Sequence, residues 1–178
     1  MWSTSVLTGL LVLITSTVAS FVEVELDRFE QTAGFDLINT TGIRVRKFNR
    51  TIFVLDGSVD LFADCGDQYV FTLTWAYSRL GNNQFNEHPL KISKAKVCDI
   101  LNGPYKDYQH LFKNYSNLPQ VGKERFCPFP RGHYWMKNWA PDSGWVLPIV
   151  RSGYWRATGD MLNLQDDRIL LESLTGFS

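Results

Sequence analysis

The chain runs to 178 residues and carries 18 basic and 18 acidic side chains, a formal net charge of zero. Neutrality argues against nucleic acid or an anionic surface as the principal partner, because either selects for clustered Lys and Arg. Aromatic residues make up 14% of the chain, enough to fill a core, line an apolar pocket or form a binding face.

The first twenty residues hold no charge. An apolar run from Val6 to Ile14 gives way to Thr15, Ser16 and Thr17 and then Val18-Ala19-Ser20, whose small residues suit cleavage after Ser20. The run falls short of the ~20 apolar residues that a membrane span needs. No later segment is apolar for long enough to cross a bilayer. Residues 1–20 therefore read as a signal peptide, and residues 21–178 as a single secreted, extracellular domain that does not span a membrane once processed. Three N-x-S/T sequons, at Asn39, Asn49 and Asn114, fit a glycoprotein and predict solvent exposure of those asparagines. Of the three cysteines, Cys65, Cys98 and Cys127, an oxidising compartment leaves one over. Cys98 with Cys127 is the favoured disulfide, since a helix between them can fold back and return the chain; Cys65 then reads as a buried, inert thiol.

Val22, Val24 and Leu26 alternate with Glu23, Glu25 and Asp27, the period of a half-buried strand. Ile43 and Val45 share one face of the next strand, with Arg44 and Arg46 on the other. Asp56-Gly57 lies between the β-prone runs 51–55 and 58–62 and predicts a two-residue hairpin turn. In the next run Tyr69, Phe71, Leu73, Trp75 and Tyr77 form one inward stripe, ending before Gly81-Asn82-Asn83, and a further strand is expected over Leu90–Ala95. Leu101, Tyr105, Tyr108, Leu111 and Phe112 recur at helical spacing, with Asn102 as N-cap, Pro104 in the first turn and an end near Asn114. After Cys127 the chain turns β again, over 133–139, 145–150, 153–161 and 168–174. Short strands plus one helix, separated by turn signals, predict a mainly β, antiparallel sandwich with a helical insertion.

No G-x-S-x-G elbow, P-loop, H-E-x-x-H or C-x-x-C is present, and His88, His110 and His133 are widely dispersed. Neither an enzyme nor a metal site nor a cofactor is expected.

Several motifs carry a resemblance: Asn49-Arg50-Thr51, the Gly57 segment, Val97-Cys98-Asp99-Ile100-Leu101, Asn117-Leu118-Pro119, Cys127-Pro128, Leu147-Pro148 and Gly153-Tyr154. In this order they resemble a large family of insect secreted proteins that includes the CheB-type chemosensory proteins, a distant relative of the ML lipid-recognition domains and the ganglioside-activator protein. The resemblance spans about residues 43–160. It implies an immunoglobulin-like (ML-like) sandwich whose sheets separate to admit a lipid or other apolar small molecule, with a chemosensory role in some members. Two positions depart from the family pattern: Cys65 has no partner in it, and Asp56 stands where Asn is common.

On that reading Phe71, Leu73, Trp75, Tyr77, Leu111, Phe112, Trp135 and Trp155 line the ligand space, each also suited to plain core. A second reading is an interaction module that contacts a cell-surface receptor through exposed Trp139 and Trp145.

Overall fold

The computed structural model describes residues 25–82, 84–141 and 152–165, together with the backbone of 168–177. The expected signal peptide, Val22, Val24, Trp145 and the strand over 145–150 lie outside the described residues.

Nine strands are described: β1 (Leu26–Ala33), β2 (Ile38–Asn39), β3 (Arg44–Lys47), β4 (Phe53–Leu61), β5 (Tyr69–Ser78), β6 (Asn86–Lys96), β7 (Gly132–Trp139), β8 (Tyr154–Asn163) and β9 (Arg168–Phe177). They form two sheets with antiparallel pairing throughout, as β-prone runs joined by short connections require. The larger has the order β1-β9-β8-β5-β6. In the smaller, β4 is central: β2 pairs with its Leu61 end, β3 with its Phe53 end, and β7 runs along the other side. Two core clusters lie between the sheets. One gathers Leu37, Leu61, Cys65, Tyr69, Val97, Leu101 and Tyr134. The other gathers Leu26, Ile43, Leu55, Trp139, Trp155 and Ala157. Each draws side chains from both sheets, so the chain is the mainly β, immunoglobulin-like sandwich expected from its sequence.

Asp56-Gly57 does not make a hairpin turn. Both residues lie inside the continuous strand β4. Gly57 adopts φ 138°, and a Cβ there would stand 2.0 Å from the Gly42 carbonyl oxygen. The pair of residues that favours positive φ in a turn serves equally well at an irregular point of a strand, where another backbone must come close. Opposite it, Leu55 faces Trp139 but Gly57 faces Met136, so β7 carries a bulge across from Asp56.

The helical insertion also differs in detail from the expected amphipathic helix. It begins at Val97, straight out of β6, with no side-chain cap. A turn of α-helix, α1 (Val97–Ile100), passes into a π-helical turn (Leu101–Tyr105), a second short helix, α2 (Lys106–Tyr108), and a 3₁₀ turn (Gln109–Leu111). Gly103 breaks the helical path at φ −115° and ψ −107°, immediately before Pro104. Proline disfavours a helical conformation in the residue before it, and glycine accommodates the departure. Asn102 is therefore inside the helical path and caps nothing. Its amide donates to the Cys98 and Phe126 carbonyls at 2.6 and 2.9 Å and accepts from the Phe126 N–H at 2.8 Å. Tyr108, expected on the buried face, is exposed, because the irregular path rotates it off the Leu101–Tyr105 side.

Cys98 and Cys127 are joined, with Cα atoms 5.4 Å apart, and staple the start of the insertion to the chain beyond it. Cys65 is free and buried, and burial pushes its thiol up to about 11, which keeps it protonated at physiological pH. No helix among the described residues is long and apolar enough to cross a membrane.

Candidate functional site

The period-2 run of β5 puts Tyr69, Phe71, Leu73, Trp75 and Tyr77 on the inner face of the larger sheet. Register with β8 sets Phe71 against Met161, Leu73 against Gly159, Trp75 against Ala157 and Tyr77 against Trp155. The small residues Gly159 and Ala157 thus lie beside the two large ones in the middle of the row. At one end, the Tyr77 and Trp155 rings stand 5.0 Å apart, and His88 of β6 meets the Trp155 ring edge-on at 5.0 Å. Neither β6 nor His88 entered the sequence-derived set, because the irregular register of β6 against β5 obscures which of its residues face inward.

Leu73, Trp75, Tyr77 and Phe112 pack against the tryptophan cluster, and Trp155 belongs to it; Phe71 packs against the other cluster. Leu111 contributes its carbonyl, which accepts the Trp139 indole N–H at 3.1 Å. Trp135 is not brought to this face. It is half-buried on β7, outside both clusters, with the Lys137 ammonium 4.9 Å from its ring centroid. Alternation along β7 turns Tyr134 and Met136 inward and leaves Trp135 beside Lys137 on the other face.

Trp139, expected as an exposed contact residue, is 7% exposed and lies in the core. The bulge in β7 shifts the alternation by one residue and turns Trp139 inward instead of Asn138. Its ring sits 5.3 Å from that of Phe112. A polar clamp holds the bulge. Asn138 has φ 52°, its N–H donates to Asp56 Oδ2 at 3.0 Å, and Arg46 donates to both Asp56 Oδ2 at 3.0 Å and Asn138 Oδ1 at 2.5 Å. The hydrogen bond from Arg46 is the main reason that the Asp56 carboxyl is held below the usual carboxylate range. Sequence alone gives Asp56 a turn role and so misses this clamp.

The stapled end is organised differently. Phe126, Phe129 and Tyr105 pack on the first cluster, with the Phe129 ring 5.2 Å from Tyr134. The Tyr105 hydroxyl donates to the Pro119 carbonyl at 2.7 Å and that of Tyr134 to the Pro130 carbonyl at 2.5 Å. Burial raises both phenols, consistent with neutral donors. Asp67 approaches the two disulfide sulfurs, which are bonded to each other and so offer no thiolate. The histidines are apart: His88 at Trp155, His110 bonded to the Asp107 carbonyl at 2.9 Å, and His133 paired with Asp60 at 2.7 Å.

All eight sequence-derived lining residues and both disulfide cysteines fall within one block. Residues 71–157 match the family model described as Protein of unknown function (DUF1091). The matched segment carries β5 from Phe71 onward, β6, the helical insertion, β7 and the start of β8. It also lies inside the 43–160 stretch on which the resemblance to insect secreted proteins rests. No curated protein matches the chain.

Proposed function

We propose that the protein is a secreted, non-enzymatic carrier of an apolar small molecule or lipid, held against the inner face of β5 and β8 in the manner of the ML domains. The observation that carries this reading is the incomplete burial of the β5 stripe. Phe71, Leu73, Trp75 and Tyr77 are all only half-buried, although β5 is an internal strand flanked by β8 and β6. Large apolar side chains on an internal strand of a filled sandwich lose nearly all contact with water. Residual apolar surface here is surface that a ligand can cover, at ~25 cal/mol for each Å² removed from water, with no catalytic group involved. Chemosensation is the setting that the resemblance implies.

Export fits the same reading. Asn114 is the best placed of the three sequon asparagines to carry a glycan, since it is exposed and its side chain has no hydrogen-bond partner among the described residues. Asn39 is half-buried in β2, and Asn49 closes a turn at a hairpin tip. The receptor-binding alternative loses one of its two tryptophans to the core with the burial of Trp139.

Native mass spectrometry of the secreted protein, followed by organic extraction, tests the carrier. A reproducible co-purifying apolar compound, lost on extraction and restored by adding it back, is the expected result. A ligand-free mass, together with tryptophan fluorescence that does not respond to a fatty-acid titration, would overturn it.

A further inference from the structure

The zero net charge of the chain conceals a local imbalance. Between residues 44 and 53 stand Arg44, Arg46, Lys47 and Arg50 and no carboxylate. This stretch is β3, the turn and the start of β4, a hairpin that projects its tip from the smaller sheet. Phe48 and Ile52 face each other across the tip, with the Phe48 N–H donating to the Ile52 carbonyl at 2.9 Å. Both are exposed, at 56% and 41%. Of the cations, Arg46 is engaged by Asp56, and Arg44 donates to the carbonyls of Thr41 and Ile43. Lys47 and Arg50 flank the apolar pair and make no salt bridge among the described residues, the Lys47 ammonium standing 5.7 Å from the Phe53 ring centroid.

The tip is also closed on itself. Asn49 Oδ1 accepts the N–H groups of Thr51 and Ile52, each at 2.9 Å, and the Asn49 N–H reaches the Ile52 carbonyl at 3.4 Å. With the N–H groups of Phe48, Asn49, Thr51 and Ile52 already bonded, the tip loses less than an open loop would when water is replaced by a less polar medium. An exposed apolar pair flanked by two cations, on a turn with most of its donors bonded, matches the interface of an anionic bilayer: the Phe48 and Ile52 side chains enter the boundary of the acyl chains while Lys47 and Arg50 meet phosphate and carboxylate headgroups. The long stems of Lys47 and Arg50 allow both at once.

We propose that the β3–β4 tip is a docking element for an anionic lipid surface. It stands on the charges and exposures of residues 44–53 and does not rest on the carrier reading, whose site lies between the sheets. A glycan on Asn49 would occupy the same tip, so docking belongs to chains in which Asn49 is bare.

The Thr51→Ala chain is the probe. It cannot be glycosylated at Asn49 and keeps both backbone hydrogen bonds to Asn49 Oδ1. Co-sedimentation with vesicles of phosphatidylcholine, with and without phosphatidylserine, is expected to show binding only when the anionic lipid is present, weakening as salt is raised. Adding Phe48→Ala and Ile52→Ala should weaken binding roughly tenfold or more. Adding Lys47→Ala and Arg50→Ala should weaken it by roughly fivefold for each cation removed. These side chains are exposed, and an unchanged melting curve will confirm that each variant is folded. Failure of the Thr51→Ala chain to bind, equal binding to neutral vesicles, or binding that survives both double substitutions would each overturn the proposal. Loss of apolar ligand from the interior leaves it untouched.

Discussion

The two core clusters occupy the same sandwich and are held together by different means. Around Leu101 and Tyr134, a chain segment with little regular structure is pinned by the disulfide, by two phenol hydroxyls and by Asn102. Gln109 adds a further tie, exchanging hydrogen bonds with Val121 at 3.0 and 2.6 Å. Around Trp139 and Trp155 rings and aliphatic groups pack together, the directional bonds lie to one side, at the Trp139 indole and the Asp56 clamp, and the adjoining stripe is only half-buried. Directional bonds fix a geometry, whereas area burial tolerates rearrangement. The stapled end is held by directional bonds, and the tryptophan end leaves the half-buried apolar surface on which the proposed carrier reading rests.

Replacing Trp139 by Ala probes that contrast most severely. The change removes a buried indole and its hydrogen bond to Leu111, and a loss of about 3–5 kcal/mol is expected from denaturant unfolding. Ligand uptake should fall with it. Intact uptake at reduced stability would mean that the tryptophan end is plain core. Removing the staple with Cys98→Ala and Cys127→Ala should cost about 3.5 kcal/mol, given a loop of 29 residues. Here uptake should survive in the folded fraction; its disappearance would show that the two ends act as one.

The smallest effect concerns the clamp that turns Trp139 inward. Because the folded Asp56 pKa is depressed, its stabilisation is complete above the unfolded carboxylate value and is lost as pH falls through the folded value. Asp56→Asn should therefore flatten the acid limb of the stability profile, by under ~1 kcal/mol since the pair is partly solvated. An unchanged acid limb would remove Asp56 from the account of how Trp139 is placed.

The β5 stripe was legible in the sequence because strict alternation survives in a strand whose register with β8 is unbroken. The bulge was not legible. Asp-Gly between two β-prone runs carries the same local signal whether the chain reverses or continues, and the outcome depends on the approach of Gly42 from elsewhere in the chain. From that one point the misreading of Trp139 follows, since the shift of alternation in β7 is fixed by its partner strand. The helix start was hidden for a related reason: β6 runs into it with no capping side chain to mark the boundary. Cys98 and Cys127 were legible as a pair because two flanking segments had to meet for the insertion to fold back.

The position of β9 bears on how the protein is made. This strand is the last of the nine described yet lies inside the larger sheet, between β1 and β8. Leu26 at the start of β1 pairs with Phe177 at the end of β9. During vectorial synthesis β1 is therefore made well before the strand that pairs with it, with β2 to β8 in between. A chain halted before β9 would present two unpaired strand edges, and edges of that kind join to those of other chains. Completion of β9, more than any earlier local segment, is what allows the larger sheet to close.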